Sequence, residues 1–264
     1  MTENSIIFNR NEFDISKITI GLGWNIREKQ PDFWGRYFFD DDADFDLDAI
    51  AFLMDKNDRV NNLGNDLSLT GKRKVPFQKS DIIYFHNLTA PSGNLGAYHN
   101  CSQRKCECTI SRFIENGEYV IHTGDNLVGS EEEDNDAEQI IVMTDEVPSR
   151  ISKILFLVCI YKGKERGQHF GLIENAYIRA LDANEKEMAR FEFSNEEAFE
   201  NKCSMTFGEL YRIDKGWAFK TNIYAYETDN FVDILRKYIR AATVHHGKRS
   251  GIMDTISPFR RIDR

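Results

Sequence analysis

The residues best suited to chemistry in this chain are carboxylates, and they are concentrated. Between Arg112 and Arg150 there is no Lys or Arg, while Asp125, Glu131, Glu132, Glu133, Asp134, Asp136 and Glu138 crowd into one short stretch. Anions at that density repel, so the stretch reads either as a solvated acidic turn or as a site for a hard cation. Ca²⁺ takes six to eight oxygen ligands from carboxylates, amides and backbone carbonyls, and Gly124 and Gly129 would let carbonyls turn inward. The flanks, Tyr119–Ile121 and Ile140–Met143, are strand-like, which predicts a loop held at both ends inside a fold rather than a disordered acidic tract. A calcium loop is the leading expectation and the solvated turn its alternative.

A second carboxylate row lies in Phe38–Met54. In an extended chain Asp42, Asp44, Asp46 and Asp48 share one face, while Phe45, Leu47 and Ala49 share the other. Asp44, Asp46, Asp48 and Asp55 match positions 1, 3, 5 and 12 of an EF-hand, but Ala49 replaces the required glycine and the apolar run Ala49–Met54 fills a loop that must be polar. The EF-hand is rejected and the carboxylates remain metal candidates. The other reading is an edge strand whose acidic face discourages aggregation. Cys101, Cys106 and Cys108, with His99, could make an N/S set, but Cys-x4-Cys-x-Cys is not the usual paired spacing of zinc sites. Free thiols on an exposed hairpin are expected there, with redox sensitivity beside Arg104 and Lys105; a second metal site is the alternative.

No catalytic constellation accompanies these groups. The chain has no Gly-x-Ser-x-Gly, Walker loop or dinucleotide fingerprint. His122 reads as a core or loop-capping histidine. An enzyme would have to be a metal-dependent hydrolase or oxyanion-processing enzyme using the acidic pocket, with His122 as base and Lys164 and Arg166 as substrate clamps.

The elements that must position the carboxylates are mostly strands. Residues 18–24, 81–88, 139–143, 150–161, 170–181, 187–193, 205–213 and 217–226 read as strands at roughly ten-residue spacing, the pattern of an all-β sandwich. Gly21 and Gly23 inside the first of these predict close approach of another group to the backbone. One C-terminal α-helix is expected, because Phe231, Ile234, Leu235, Tyr238 and Ile239 recur at helical spacing, with Asn230 as N-cap and Asp233 in the first turn. The 264 residues carry a net charge of −9, which opposes tracking of phosphate backbones, so nucleic acid is not an expected partner. No window approaches the roughly 18 apolar residues of a membrane span, and the start lacks a basic end followed by an apolar core. An odd number of cysteines, five, fits reduced thiols and a cytoplasmic location.

Nine stretches together resemble the tellurium-resistance TerD family: Gly21–Asn25, Phe45–Ala49, Tyr84–Leu88, His122–Asn126, Asp136–Glu138, Gln168–Gly171, Ala176–Arg179, Gly208–Arg212 and Gly216–Phe219, in the family's order. The resemblance implies a β-sandwich of Ca²⁺-binding stress proteins associated with resistance to tellurite and other chemical stresses and with phage exclusion. It implies a non-enzymatic module that meets protein partners in a membrane-associated complex without entering the bilayer. Carried over by motif, the cation ligands would be Asp46 and Asp48, Asp125 and Asn126, and Asp136 and Glu138. Glu133 and Asp134 of the acidic loop join them as candidates. Asn25 stands where the family usually has Asp, and Ala137 where a second Asp is common. The resemblance runs over roughly residues 15–240, within one expected domain of residues 1–240. Within it, about residues 96–119 read as a hairpin-like insertion, and a basic tail, residues 241–264, follows.

Overall fold

In the computed structural model of the chain, residues 7–8, 12–24, 45–64, 77–93, 107–124, 136–173, 176–193, 197–214 and 216–239 are described. They form two six-stranded antiparallel sheets, an all-β sandwich. One sheet runs in the order β1 (Ile7–Phe8), β12 (Gly216–Tyr226), β11 (Ser204–Ile213), β8 (Lys153–Ile160), β3 (Leu47–Met54), β4 (Ile82–Ile83). The other runs β10 (Glu187–Phe193), β9 (Ala176–Leu181), β2 (Lys17–Gly23), β7 (Glu138–Met143), β6 (Val120–His122), β5 (Thr89–Ala90).

Period-two alternation places the core. Ile18, Ile20 and Leu22 of β2, Ile140 and Val142 of β7, and Ile178 and Ala180 of β9 meet Leu47, Ala49, Ala51 and Leu53 of β3 and Ile154, Phe156 and Val158 of β8 between the sheets. The opposite faces of β3 and β8 are buried too. Ile50, Phe52, Leu155 and Leu157 lie under α2 (Phe231–Leu235), whose Phe231, Ile234 and Leu235 complete a second core. Strands covered on both faces need apolar residues at every position, which accounts for the unbroken run Ile154–Ile160. The Asn230 side chain caps α2 by accepting from Val232 N–H at 3.0 Å.

Three sequence expectations are corrected. Where a hairpin-like insertion is expected, Glu107–Glu115 form a helix, α1; Phe113, with Ile110 and Ile114, covers Ile121 and Ile141 on the outer face of the second sheet. An amphipathic segment beside an exposed apolar sheet face gains more by burying its stripe than by pairing as an isolated hairpin. Residues 170–181 are not one strand: Phe170–Leu172 make a 3₁₀ turn before β9. Residues 81–88 give only the two-residue β4, because the chain turns back between Tyr84 and Asn87, with Asn87 buried and its side chain donating to Ile82 O at 2.7 Å. Among the described residues no helix is long and apolar enough to cross a membrane.

The strand registers decide which loops share an end. Gly23 stands opposite Tyr177, Leu22 opposite Glu138, His122 opposite Ile140, and Leu47 opposite Ile160. The chain therefore leaves β2, β6 and β8 and enters β3, β7 and β9 at one end of the sandwich. The roots of the acidic loop lie there, beside the start of β3.

Candidate functional site

Four of the predicted carboxylates are at this end, each at most 3% exposed: Asp46, Asp48, Asp136 and Glu138. A carboxylate taken out of water must be compensated by donors or a cation, so such a grouping is informative. The four do not converge. Asp48 alternates onto the outer face of β3 with Ile50 and Phe52, opposite Cys159, and Asp46 precedes it by one strand period, its carbonyl accepting from Tyr161 N–H at 2.8 Å. Glu138 points between the sheets, and Asp136 lies on the outside of the second sheet.

Glu138 acts together with His122. Strand β4 pairs with β3 only at Ala51 and Phe52, so the edge-facing N–H and C=O of Ala49 lie beyond its reach. Ala49 N–H donates to Glu138 Oε2 at 2.9 Å, and His122 Nε2 donates to Ala49 O at 3.0 Å. The other ring nitrogen, Nδ1, accepts from Gly124 N–H at 3.0 Å, which assigns the neutral tautomer. Burial pulls the His122 pKa down to about 4, against the smaller opposing effect of its bond to Ala49. The 3.6 Å approach of His122 to Glu138 is therefore contact with a neutral ring, not an ion pair. Both side chains satisfy a buried strand edge and bind the start of β3 to the roots of the acidic loop.

Asp136 sits in a cradle of donors. Oδ1 accepts from Tyr177 Oη at 3.1 Å and from Arg179 Nε at 2.9 Å, and Oδ2 accepts from Gln139 Nε2 at 2.9 Å. The carboxylate lies flat over Gly21, where a Cβ would overlap it, and the Tyr177 ring lies over Gly23 in the same way. These are the close approaches the two glycines predict. Arg190 stacks on the Tyr177 ring at 4.0 Å, with Arg179 5.4 Å from its centroid. Burial, and after it the Asp136 charge, raise the Tyr177 pKa, so the phenol remains a donor.

Asp125, Asn126, Glu133 and Asp134 lie outside the described residues, as do Asp42, Asp44, Asn25, Cys101, Cys106 and the tail from residue 240. Cys108 falls within α1. Among the described residues no three His, Cys, Asp or Glu converge to hold a metal ion. Local sequence did not reveal the roles of Tyr177, Arg179 and Gln139. The pair of glycines predicted close contact but not with what, and Tyr177 and Arg179 lay in a resembling stretch, Ala176–Arg179, with no role attached.

This arrangement defines a class: a two-layer antiparallel β-sandwich with buried carboxylates around the roots of an acidic loop at one end. The TerD domain model matches residues 3–107 and 114–238, and the chain belongs to the TerD family. It is 38% identical over 234 residues to tellurium resistance protein TerX of Serratia marcescens, covering 89% of this chain and 95% of that one. It is 32% identical to tellurium resistance protein TerD of the same organism, over 78% and 79% of the two chains. The crystal structure of SAV2460, a protein of unknown function, has a similar fold: TM-score 0.52 at 17% identity, covering 86% of this chain and 99% of that one.

Proposed function

We infer that this chain is a calcium-binding, non-enzymatic stress-response module that serves tellurite or chemical-stress resistance in the cytoplasm by presenting a metal-ordered surface to a protein partner. The observation that carries this reading is the burial of Asp46, Asp48, Asp136 and Glu138 at the one end of the sandwich from which the cation-free acidic segment extends. The donor set is entirely oxygen, with carboxylates in excess, which suits a hard cation of high coordination number and not zinc or copper. Asp125, Asn126, Glu133 and Asp134 would hold the ion, with Asp46 adding a carboxylate from the start of β3; Asp48, on the outer face of β3 opposite Cys159, points away from the loop's roots. Bound calcium would supply neutralisation of the crowded carboxylates. The protein supplies the frame: Glu138 and His122 fix β3 against the loop's roots, and Asp136 fixes the point where the loop re-enters the sheet.

The names of the relatives support a resistance role, TerX and TerD both being tellurium resistance proteins. A role as binding module and not hydrolase is favoured by the state of His122. A general base needs an accessible, titratable nitrogen, but this ring is 1% exposed, neutral, and occupied at both nitrogens by backbone groups.

Thermal melts of the full chain in EDTA and in excess Ca²⁺ test the reading. Ligand at 100 times its Kd contributes about 2.7 kcal/mol, so the melting temperature should rise by roughly 5–10 °C. Identical melts, with no heat of Ca²⁺ binding by calorimetry, would refute it. Ca²⁺-dependent retention of a partner, lost in Asp125→Ala, is the expected result for the metal-ordered surface; a partner set indifferent to EDTA would leave calcium a structural role only.

A further inference from the structure

We propose that β10 is the docking edge for a second copy of this chain, joined to its counterpart across a two-fold axis so that the second sheets of the two protomers run on as one. Four strands end the two sheets, and three of them, β1, β4 and β5, are two residues long. Strands that short offer little ladder for another chain to join, which is a common way of blunting sheet edges. The exception is β10, seven residues long, with β9 as its one strand neighbour among the described residues. It contains neither proline nor glycine, the residues that interrupt pairing. An apolar rim runs beside it. Strand β3 lies over β7 and β4 over β6, so following the two strand orders across the sandwich brings β12 over β10. Ala189 and Phe191 of β10 and Ile223 and Ala225 of β12 pack against the core there but are only partly buried.

Register selects the occupant. Pairing of β10 with β9 shifts between Glu187 and Ala189 and is regular from Ala189 to Phe193. Phe191 is the midpoint of the regular stretch, so a two-fold pairing that uses all of it places Phe191 on the axis. Arg190 then falls opposite Glu192 of the second copy and Glu192 opposite its Arg190, both pairs on the outer face, while the two Phe191 meet on the inner face. Opposite charges and aromatic rings directly across a ladder stabilise it, and like charges oppose it. Two-fold registers centred on Arg190 or on Glu192 would set two guanidiniums or two carboxylates against each other. Charges placed only to repel another strand would serve best with one sign, but Arg190 and Glu192 alternate and are complementary to themselves. Within one protomer Arg190 donates to Glu192 Oε1 at 3.1 Å and to Glu187 Oε2 at 3.3 Å, and stacks on the Tyr177 ring at 4.0 Å. These contacts hold it on the outer face. The Glu192 side chain is 74% exposed, and a guanidinium carries five donors, so the contacts within and between protomers can coexist.

Charge exchange tests both the contact and its register. Sedimentation equilibrium of the full chain is expected to show a mass that rises with concentration from 30.6 kDa towards twice that value. Association at β10 does not depend on the calcium reading and is expected in EDTA and in Ca²⁺ alike. Glu192→Arg, at a side chain exposed enough to leave folding intact, sets arginine against arginine twice in each dimer and should weaken association about 10-fold or more. Arg190→Glu should do the same by opposing carboxylates. An equimolar mixture of the two variants should recover association, because a protomer with two carboxylates then faces one with two guanidiniums. The double variant Arg190→Glu, Glu192→Arg should pair as the wild type does. A chain that stays at 30.6 kDa at every concentration would overturn the proposal. So would a dimer that neither single variant weakens, or a mixture that associates no more tightly than its components.

Discussion

Gly21→Ala should be costly although a methyl group is all that it adds. The backbone at Gly21 is ordinary strand, outside the left-handed region that favours glycine, so alanine meets no conformational penalty there. The obstacle is Asp136: a Cβ on residue 21 would lie within 2.5 Å of all three carboxylate atoms, closer than carbon and oxygen can approach. The side chain is short and held by three donors, so it can yield only by abandoning them. Separating a buried carboxylate from its partners costs about 3–5 kcal/mol. Replacing a strand glycine returns about 0.5–1 kcal/mol through the smaller entropy of the unfolded chain. The net expectation is about 2–4 kcal/mol, a fall in melting temperature of roughly 4–16 °C for a chain of this size. Urea denaturation in EDTA, which removes any metal contribution, measures it. Repeating the substitution in an Asp136→Ala background isolates the cause: with the carboxylate absent, alanine at 21 should be nearly neutral. Gly21→Ala as stable as wild type, or equally damaging without Asp136, would refute the reasoning.

Two further outcomes follow from buried groups. His122 titrates near 6.5 unfolded and at about 4 folded, so folding excludes a proton. Stability is complete above pH 6.5 and should fall by about 2 kcal/mol between pH 6.5 and 5, before most carboxylates titrate, as read by denaturant unfolding in EDTA. His122→Gln should flatten that slope, and a slope unchanged by the substitution would contradict it. Cys159 is 2% exposed and burial drives its thiol pKa upward, so in the native protein it should resist a thiol reagent that modifies it fully in denaturant. Rapid native labelling at Cys159 would mean that the β3–β8 core opens readily.

Much of the frame was legible in the residues. Alternation over 18–24 and 187–193 located β2 and β10, and the short polar turns around 205–213 and 217–226 set off β11 and β12. The α2 cap was legible because Asn230 acts on a backbone group two residues away. Two of the three failures were of one kind. Glu107–Glu115 and Phe170–Leu172 take their conformations from the surfaces they meet, and no local pattern records which sheet face a segment will find uncovered.

The candidate site divides in the same way. The sequence by itself determined that this chain carries an acidic loop between two strands, a second carboxylate row at the start of another, and two glycines that something must approach. These are properties of residue type and spacing. Only the tertiary structure decided that Asp136 would lie on Gly21 in the grip of Tyr177 and Arg179, that Glu138 and His122 would close the edge of β3 at Ala49, and that Asp48 would face away from both. A carboxylate's role depends on which donors reach it first. Here those donors come from residues more than 40 positions away in the chain for the Asp136 contact to Arg179 and more than 80 for Glu138 to Ala49, separations bridged by strand register alone.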